Sequence, residues 1–173
     1  LGIDCGGNCP TACQTPACEN PAGGDEVIVS TNMPLGQTFP AIAMGQQGNF
    51  ITAWHSYIQD GDGNGIFVQR FDSNGNKLGN EFQANTHTND HQEYPSIAMD
   101  INSNFVITWM SEGQDGSSTG IYAQRFDSNG NKLGNEFRVN TYTDGIQAWP
   151  AIAMDSQGNF VITWASYLQD GSP

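Results

Sequence analysis

Asp60-Gly61-Asp62-Gly63-Asn64-Gly65 places an oxygen-bearing side chain at every second position of a glycine-rich loop. Hard cations are wrapped by carboxylate and amide oxygens at this spacing, so Asp60, Asp62 and Asn64 form a candidate metal site with calcium as its ion. The same residues also suit a plain polar hairpin tip. The corresponding loops further along, Asp115-Gly116-Ser117-Ser118 and Asp170-Gly171-Ser172, lack the second carboxylate. Asp72-Ser73-Asn74-Gly75-Asn76 has similar spacing, but a turn already explains its residues.

Other chemistry has fewer candidates. His87 and His91 lie four apart in a polar loop, a spacing open to metal binding or to a solvated turn. An enzyme would break the repeat at its site, and the non-recurring candidates for such a role are His55, His87, His91, Glu93 and Glu112. A glycosidase would draw a pair of acids from such a set. The sequence holds no Gly-x-Ser-x-Gly, Cys/His dyad or phosphate loop, and no catalytic residue is assigned. The aromatics Phe39, Tyr94 and Trp149 each precede a proline. With Trp54, Trp109 and Trp164 they would make a sugar-stacking surface, whereas a period-two position inside an apolar strand makes those tryptophans core residues.

The elements that position these residues are repeated. QRFDSNGNKLGNEF occurs at 69 to 82 and again at 124 to 137, 55 positions apart. The same offset carries Pro40 onto Pro95 and Pro150, and Trp54 onto Trp109 and Trp164. A fixed period of this size means that one supersecondary unit is stacked on copies of itself. Residues 1–23 form a Cys-rich head and residues 24–173 the array, whose units pivot on Pro40, Pro95 and Pro150. Each unit reads as four short strands separated by Gly and Asn turns, with no period of 3.6, so the fold class is all-β. Asn74-Gly75 predicts a two-residue type I′ hairpin that sets Asp72 opposite Lys77, Phe71 opposite Leu78 and Arg70 diagonal to Glu81. Four antiparallel strands in such a repeat are the blade of a β-propeller, which needs about four to eight blades to close.

Charge and cysteines bound the setting. Five basic residues face 18 acidic ones, and a net charge of −13 repels phosphate backbones, leaving cations, neutral glycans or protein copies as partners. No apolar run reaches membrane-span length. Cys5, Cys9, Cys13 and Cys18 crowd into a segment rich in Gly, Pro and Asn, and read as two disulfides with a metal cluster as the rival. Disulfides imply an oxidising compartment, so secretion or surface display is expected. Leu1 at the first position fits a mature form whose signal has been removed.

The pattern Q-x-x-P-x-I-A-M-D-x-x-G-N-F-V-I-T-W, then Q-D-G, then G-I-Y-A-Q-R-F-D-x-x-G-N-x-L-G-N-E-F-x-V-N-T, resembles repeats of large secreted and surface proteins of bacteria, cyanobacteria among them. The resemblance covers residues 24–173 and implies an extracellular, propeller-like, often calcium-associated array in adhesion or matrix proteins. Met154-Asp155-Ser156-Gln157-Gly158-Asn159-Phe160 is also similar to the Asp-box turn of sialidase propellers, a structural hairpin.

These readings converge on a non-catalytic extracellular structural or adhesive repeat protein. A glycan-binding or calcium-dependent ligand-binding module and a carbohydrate-active enzyme are the alternatives. Glu26, Val27, Ile28 and Val29 fall in register with the last strand of a unit and form an expected assembly strand. Head-to-tail strand complementation between copies would cover it, producing a ring or a filament through a heterologous contact.

Overall fold

The computed structural model describes residues 2–3, 27–31, 36–167 and 169. The four cysteines and Glu26 lie outside the described residues, and so do the disulfides expected of Cys5, Cys9, Cys13 and Cys18. The described residues form twelve strands and no helix: β1 (Gly2–Ile3), β2 (Val27–Ile28), β3 (Gln37–Met44), β4 (Phe50–Tyr57), β5 (Asn64–Phe71), β6 (Phe82–Gln83), β7 (Gln92–Met99), β8 (Phe105–Glu112), β9 (Thr119–Phe126), β10 (Phe137–Arg138), β11 (Gln147–Met154) and β12 (Phe160–Ser166). They pair antiparallel as two four-stranded sheets, β3-β4-β5-β6 and β7-β8-β9-β10, and two half-sheets, β11-β12 and β1-β2. Among these residues no helix is long and apolar enough to cross a membrane.

The hairpin between the third and fourth strands departs from the predicted type I′ turn. Phe71 bridges Lys77, one residue off the expected register. The Asp72 N–H donates to the Asn76 carbonyl and Gly75 N–H to the Asp72 carbonyl, with Gly75 alone in the turn at positive φ (81°). Asp72 explains the change. Its carboxylate accepts from the N–H of Asn74 (2.9 Å) and Asn76 (2.8 Å) and from the Asn76 amide (2.9 Å), which holds a longer turn that ends in a left-handed glycine. Asp127, Asp100 and Asp155 repeat the arrangement with their own downstream Asn residues.

The basic residues are redeployed with it. Arg70 donates to the carbonyl of Asn129 in the second sheet's hairpin, and Lys132 Nζ reaches back to the Asn85 carbonyl at 3.5 Å. They bind one unit to the next, whereas the sequence suggested that Arg70 pairs with Glu81 within its own hairpin. Glu81 accepts from Thr31 and Gln59, and Glu136 accepts from Thr86 and Gln114, so a second clamp repeats between units.

The core is laid down on both faces of the second and third strands. One face of the first sheet packs Val29, Phe50, Trp54, Phe67 and Phe71 together. The opposite face, with Ile51, Ala53, Ile66 and Val68, joins Ile97, Phe105, Ile107, Trp109 and Tyr122 of the second sheet. Trp54 and Trp109 are fully buried, confirming them as core. Each buried tryptophan removes a large apolar area from water, so these layers dominate cohesion between units. Val29 seals the outer face of the first sheet. β2, part of the expected assembly strand, pairs with β1.

Candidate functional site

Every first strand carries an aromatic residue followed by proline, and each such pair sits in a β-bulge. Thr38 pairs with His55 and Ala41 with Ala53, so Phe39 and Pro40 together face Trp54 alone. The same irregularity falls between Glu93 and Ser96, and between Ala148 and Ala151. Proline has no N–H to give the ladder, so a bulge is the accessible solution. The aromatic residue then adopts a left-handed backbone, with φ of 52° at Phe39, 54° at Tyr94 and 53° at Trp149. For bulky side chains this is strained, at about 1–3 kcal/mol each.

The bulges bring the three rings to one place. β3 packs beside β7 and β7 beside β11, so the bulges line up. Phe39 and Trp149 are 54% and 56% exposed, and Tyr94 is half-buried. Together with Pro40, Pro95, Pro150 and Ser96 they line an open cavity of about 240 Å³. Phe39 and Tyr94 meet edge-on with centroids 4.7 Å apart, and Trp149 meets Tyr167 at 6.1 Å. Ser96 Oγ accepts from the Ile152 N–H at 3.3 Å, tying β7 to β11 beneath the cavity.

A polar group flanks this cup, and it breaks the repeat. The ring of His55 lies 5.1 Å from Phe39 and 6.0 Å from Tyr94. Its Nε2 is 2.5 Å from Thr38 Oγ1, and its Nδ1 is buried without a partner. Burial holds the His55 imidazole below its ordinary pKa; Glu93 opposes that shift and His91 adds to it. The ring is therefore neutral at pH 7. Glu93 accepts from the Asn64 amide at 2.6 Å and lies 3.8 Å from His91 Nδ1. At the positions 55 residues on, His55 gives way to Met110 and Glu93 to Ala148. Of the non-recurring residues, His55, His91 and Glu93 converge here. His87 and Glu112 are bound through main-chain groups: the His87 carbonyl accepts from the Asn85 amide, and the Glu112 N–H donates to the His91 carbonyl.

The sequence-predicted cation loop is engaged differently. Asp60 Oδ2 accepts from Gln83 at 2.9 Å, Asp62 Oδ2 accepts from the Asp90 N–H at 3.1 Å, and Asn64 turns to Glu93. The three side chains thus take three separate partners along the adjoining segment. Gly63 packs against that segment so closely that an added Cβ would lie 2.1 Å from the Asp90 carbonyl oxygen. Among the described residues, no group of three His, Cys, Asp or Glu side chains could hold a metal ion. Val27 and Ile28 of the expected assembly strand are exposed, and Val29 is buried in its own chain.

No family model matches the chain, and no curated protein matches it either. Among solved structures it is similar to an endo-arabinase from Bacteroides thetaiotaomicron, with a TM-score of 0.52 and 14% identity over 78% of this chain and 52% of the enzyme. It is also similar to a protein of unknown function from Dyadobacter fermentans, with a TM-score of 0.47 and 10% identity over 63% of this chain and 38% of that one. The chain spans about half the length of the arabinase it matches and less of the second protein. At this identity the likeness to the arabinase concerns the fold.

Sequence reasoning named the three pre-proline aromatics but missed their strained backbone and the histidine beside them. A bulky residue before proline inside a strand, three times at one spacing, was the available signal.

Proposed function

We propose that this chain is a non-catalytic, extracellular adhesive repeat module, its four-stranded units set as propeller-like blades, that binds neutral glycans on the Phe39, Tyr94 and Trp149 cup. The observation that carries this reading is the row of three outward rings held at positive φ. Backbone strain concentrates where function requires it, and exposed aromatic faces are what the apolar faces of sugar rings stack upon. His55, Thr38 and Ser96 add hydrogen-bonding groups at its edge. The net charge of −13 favours neutral over anionic polysaccharides. Four clustered cysteines support the extracellular setting.

Affinity electrophoresis through gels containing arabinan, other neutral polysaccharides or a polyuronate tests the reading. Arabinan enters the panel because of the fold shared with an endo-arabinase. Retardation by at least one neutral polymer, lost in Trp149→Ala, is expected. Equal mobility of parent and variant in every gel would remove the proposal. Release of new reducing ends from any polymer would move the assignment to a carbohydrate-active enzyme, which needs paired carboxylates flanking the bond.

A further inference from the structure

The seams between units carry a recurring polar cavity that shares no residue with the aromatic cup. Between the first and second sheets, Thr86, Gln114, Gln124, Lys132, Asn135 and Glu136 line an open space of about 260 Å³. Their counterparts 55 residues earlier, Thr31, Gln59, Gln69, Lys77, Asn80 and Glu81, line one of about 560 Å³ beside the first sheet. The smaller cavity is preceded by a complete sheet and the larger is followed by one. The same lining therefore arises with a whole sheet on either side.

Hydrogen bonding fixes how each glutamine amide is turned. Gln124 Nε2 donates to the carbonyls of Arg125 (2.9 Å) and Gly134 (3.1 Å), and Gln69 Nε2 to those of Arg70 (3.0 Å) and Gly79 (3.2 Å). These partners only accept, so the amide oxygen cannot take the place of the nitrogen. Gln114 Nε2 likewise donates to Glu136 at 2.6 Å, as Gln59 Nε2 does to Glu81. The oxygens are left over. Among the described residues, Oε1 of Gln59, Gln69, Gln114 and Gln124 is buried with no donor, and Gln69 and Gln124 are fully buried side chains. A buried acceptor without a partner is costly, and the same two recur at both seams.

Charge decides what could supply the donors. A cation would sit against the ammonium of Lys132 or Lys77, and an anion would meet Glu136 or Glu81 beside two bare amide oxygens. A neutral molecule with several hydroxyls suits both. Its O–H groups donate to the amide oxygens, and its oxygens accept from the lysine. A water's share of liquid volume is about 30 Å³. The smaller cavity is several times that size, with room for a molecule that brings its hydroxyls together. None of the described residues lining either cavity is aromatic, so recognition would run through hydrogen bonds and not through stacking as in the cup. We propose that each seam is a second kind of binding site, which takes a neutral polyol of the size of one sugar residue. Gln114, Gln124 and Lys132 hold it at one seam, and Gln59, Gln69 and Lys77 at the other. The proposal stands apart from the cup, whose ligand stacks on exposed rings.

Nitrogen–proton correlation NMR of the full chain reads the site itself, because each glutamine side-chain amide gives its own signals. The probes are free arabinose, galactose and glucose, with ammonium chloride and sodium acetate as charged comparisons. At least one sugar is expected to shift the amide signals of both glutamine pairs saturably, and neither salt to do so. Lys132→Met, a change at an exposed rim position, is expected to weaken the shifts of Gln114 and Gln124 several-fold while those of Gln59 and Gln69 stay as in the parent. Trp149→Ala is expected to leave all four unchanged. Glutamine signals that no sugar moves, or that drift without saturating, would mean that water alone fills the seams and would overturn the proposal. An equal response to either salt, or shifts indifferent to Lys132→Met, would overturn it as well. Sugars that move only the Trp149 indole signal would sink the seam sites and leave the cup standing.

Discussion

Tyr94 stands edge-on to Phe39 across the seam between the first and second sheets, ring centroids 4.7 Å apart, and each holds a left-handed backbone immediately before a proline. A buried aromatic pair can reach such a contact without strain. Here Phe39 is exposed and Tyr94 half-buried, and the bulge that carries them recurs on every described first strand.

Trp149→Gly separates the proposed glycan binding from stability. Glycine adopts φ near 53° freely, which relieves about 1–2 kcal/mol, while its extra freedom in the unfolded chain costs about 0.5–1 kcal/mol. Thermal denaturation is expected to show an unchanged or slightly raised Tm, alongside lost retardation in polysaccharide gels. A clear drop in Tm would mean that the ring holds the fold.

Trp109→Ala tests the opposite case. The side chain is fully buried between the first and second sheets, and its removal is expected to cost about 3–5 kcal/mol in urea denaturation. A cost below about 1 kcal/mol would contradict the two-faced burial of the second strand.

The repeat, the all-β class, the strand order within a unit and the core placement of Trp54 and Trp109 were legible because period-two patterning and the fixed offset leave few alternatives, whereas Trp164, read the same way, is half-buried. The hairpin register was not. Asn74-Gly75 is a strong local signal, yet the carboxylate of Asp72, two residues earlier, satisfies three donors and selects the longer turn. Arg70 was set diagonal to Glu81 in its own hairpin because cross-strand pairing is local; its acceptor lies 59 residues away, and that of Lys132 lies 47 away. The meeting of His55 with Glu93 depends on packing between sheets, which no window of sequence contains.

pH dependence follows from His55. Burial lowers its folded pKa, so the unfolded chain takes up the proton first as pH falls. Stability is expected to be flat above about pH 6.5 and to decline below it until the lowered folded pKa is passed. Met110 stands at this position in the second unit, so His55→Met should remove the decline in that window. Asp72, Asp127 and Asp155, lowered chiefly by hydrogen bonds from Asn76, Asn131 and Asn159, add a separate loss at more acid pH, as the pH falls from the ordinary carboxylate pKa through their depressed folded values. An identical acid profile in parent and His55→Met would contradict the assignment.

Asp62 discriminates between a hydrogen-bonding and a cation-binding loop. As the acceptor for the Asp90 N–H, its replacement by Ala should lower Tm equally with and without millimolar calcium. A calcium-dependent rise in the parent that vanishes in the variant would restore the cation site at Asp60, Asp62 and Asn64.

The cup itself is tested most directly by titrating the parent and Trp149→Phe with a neutral oligosaccharide cut from whichever polymer retards the protein, following indole fluorescence. Trp149 is the exposed indole beside the cavity, whereas Trp54 and Trp109 are sealed. The account expects a saturable change in the parent, absent in Trp149→Phe although calorimetry shows that variant still binding. A saturable signal of equal size in both proteins would place the ligand elsewhere and contradict it.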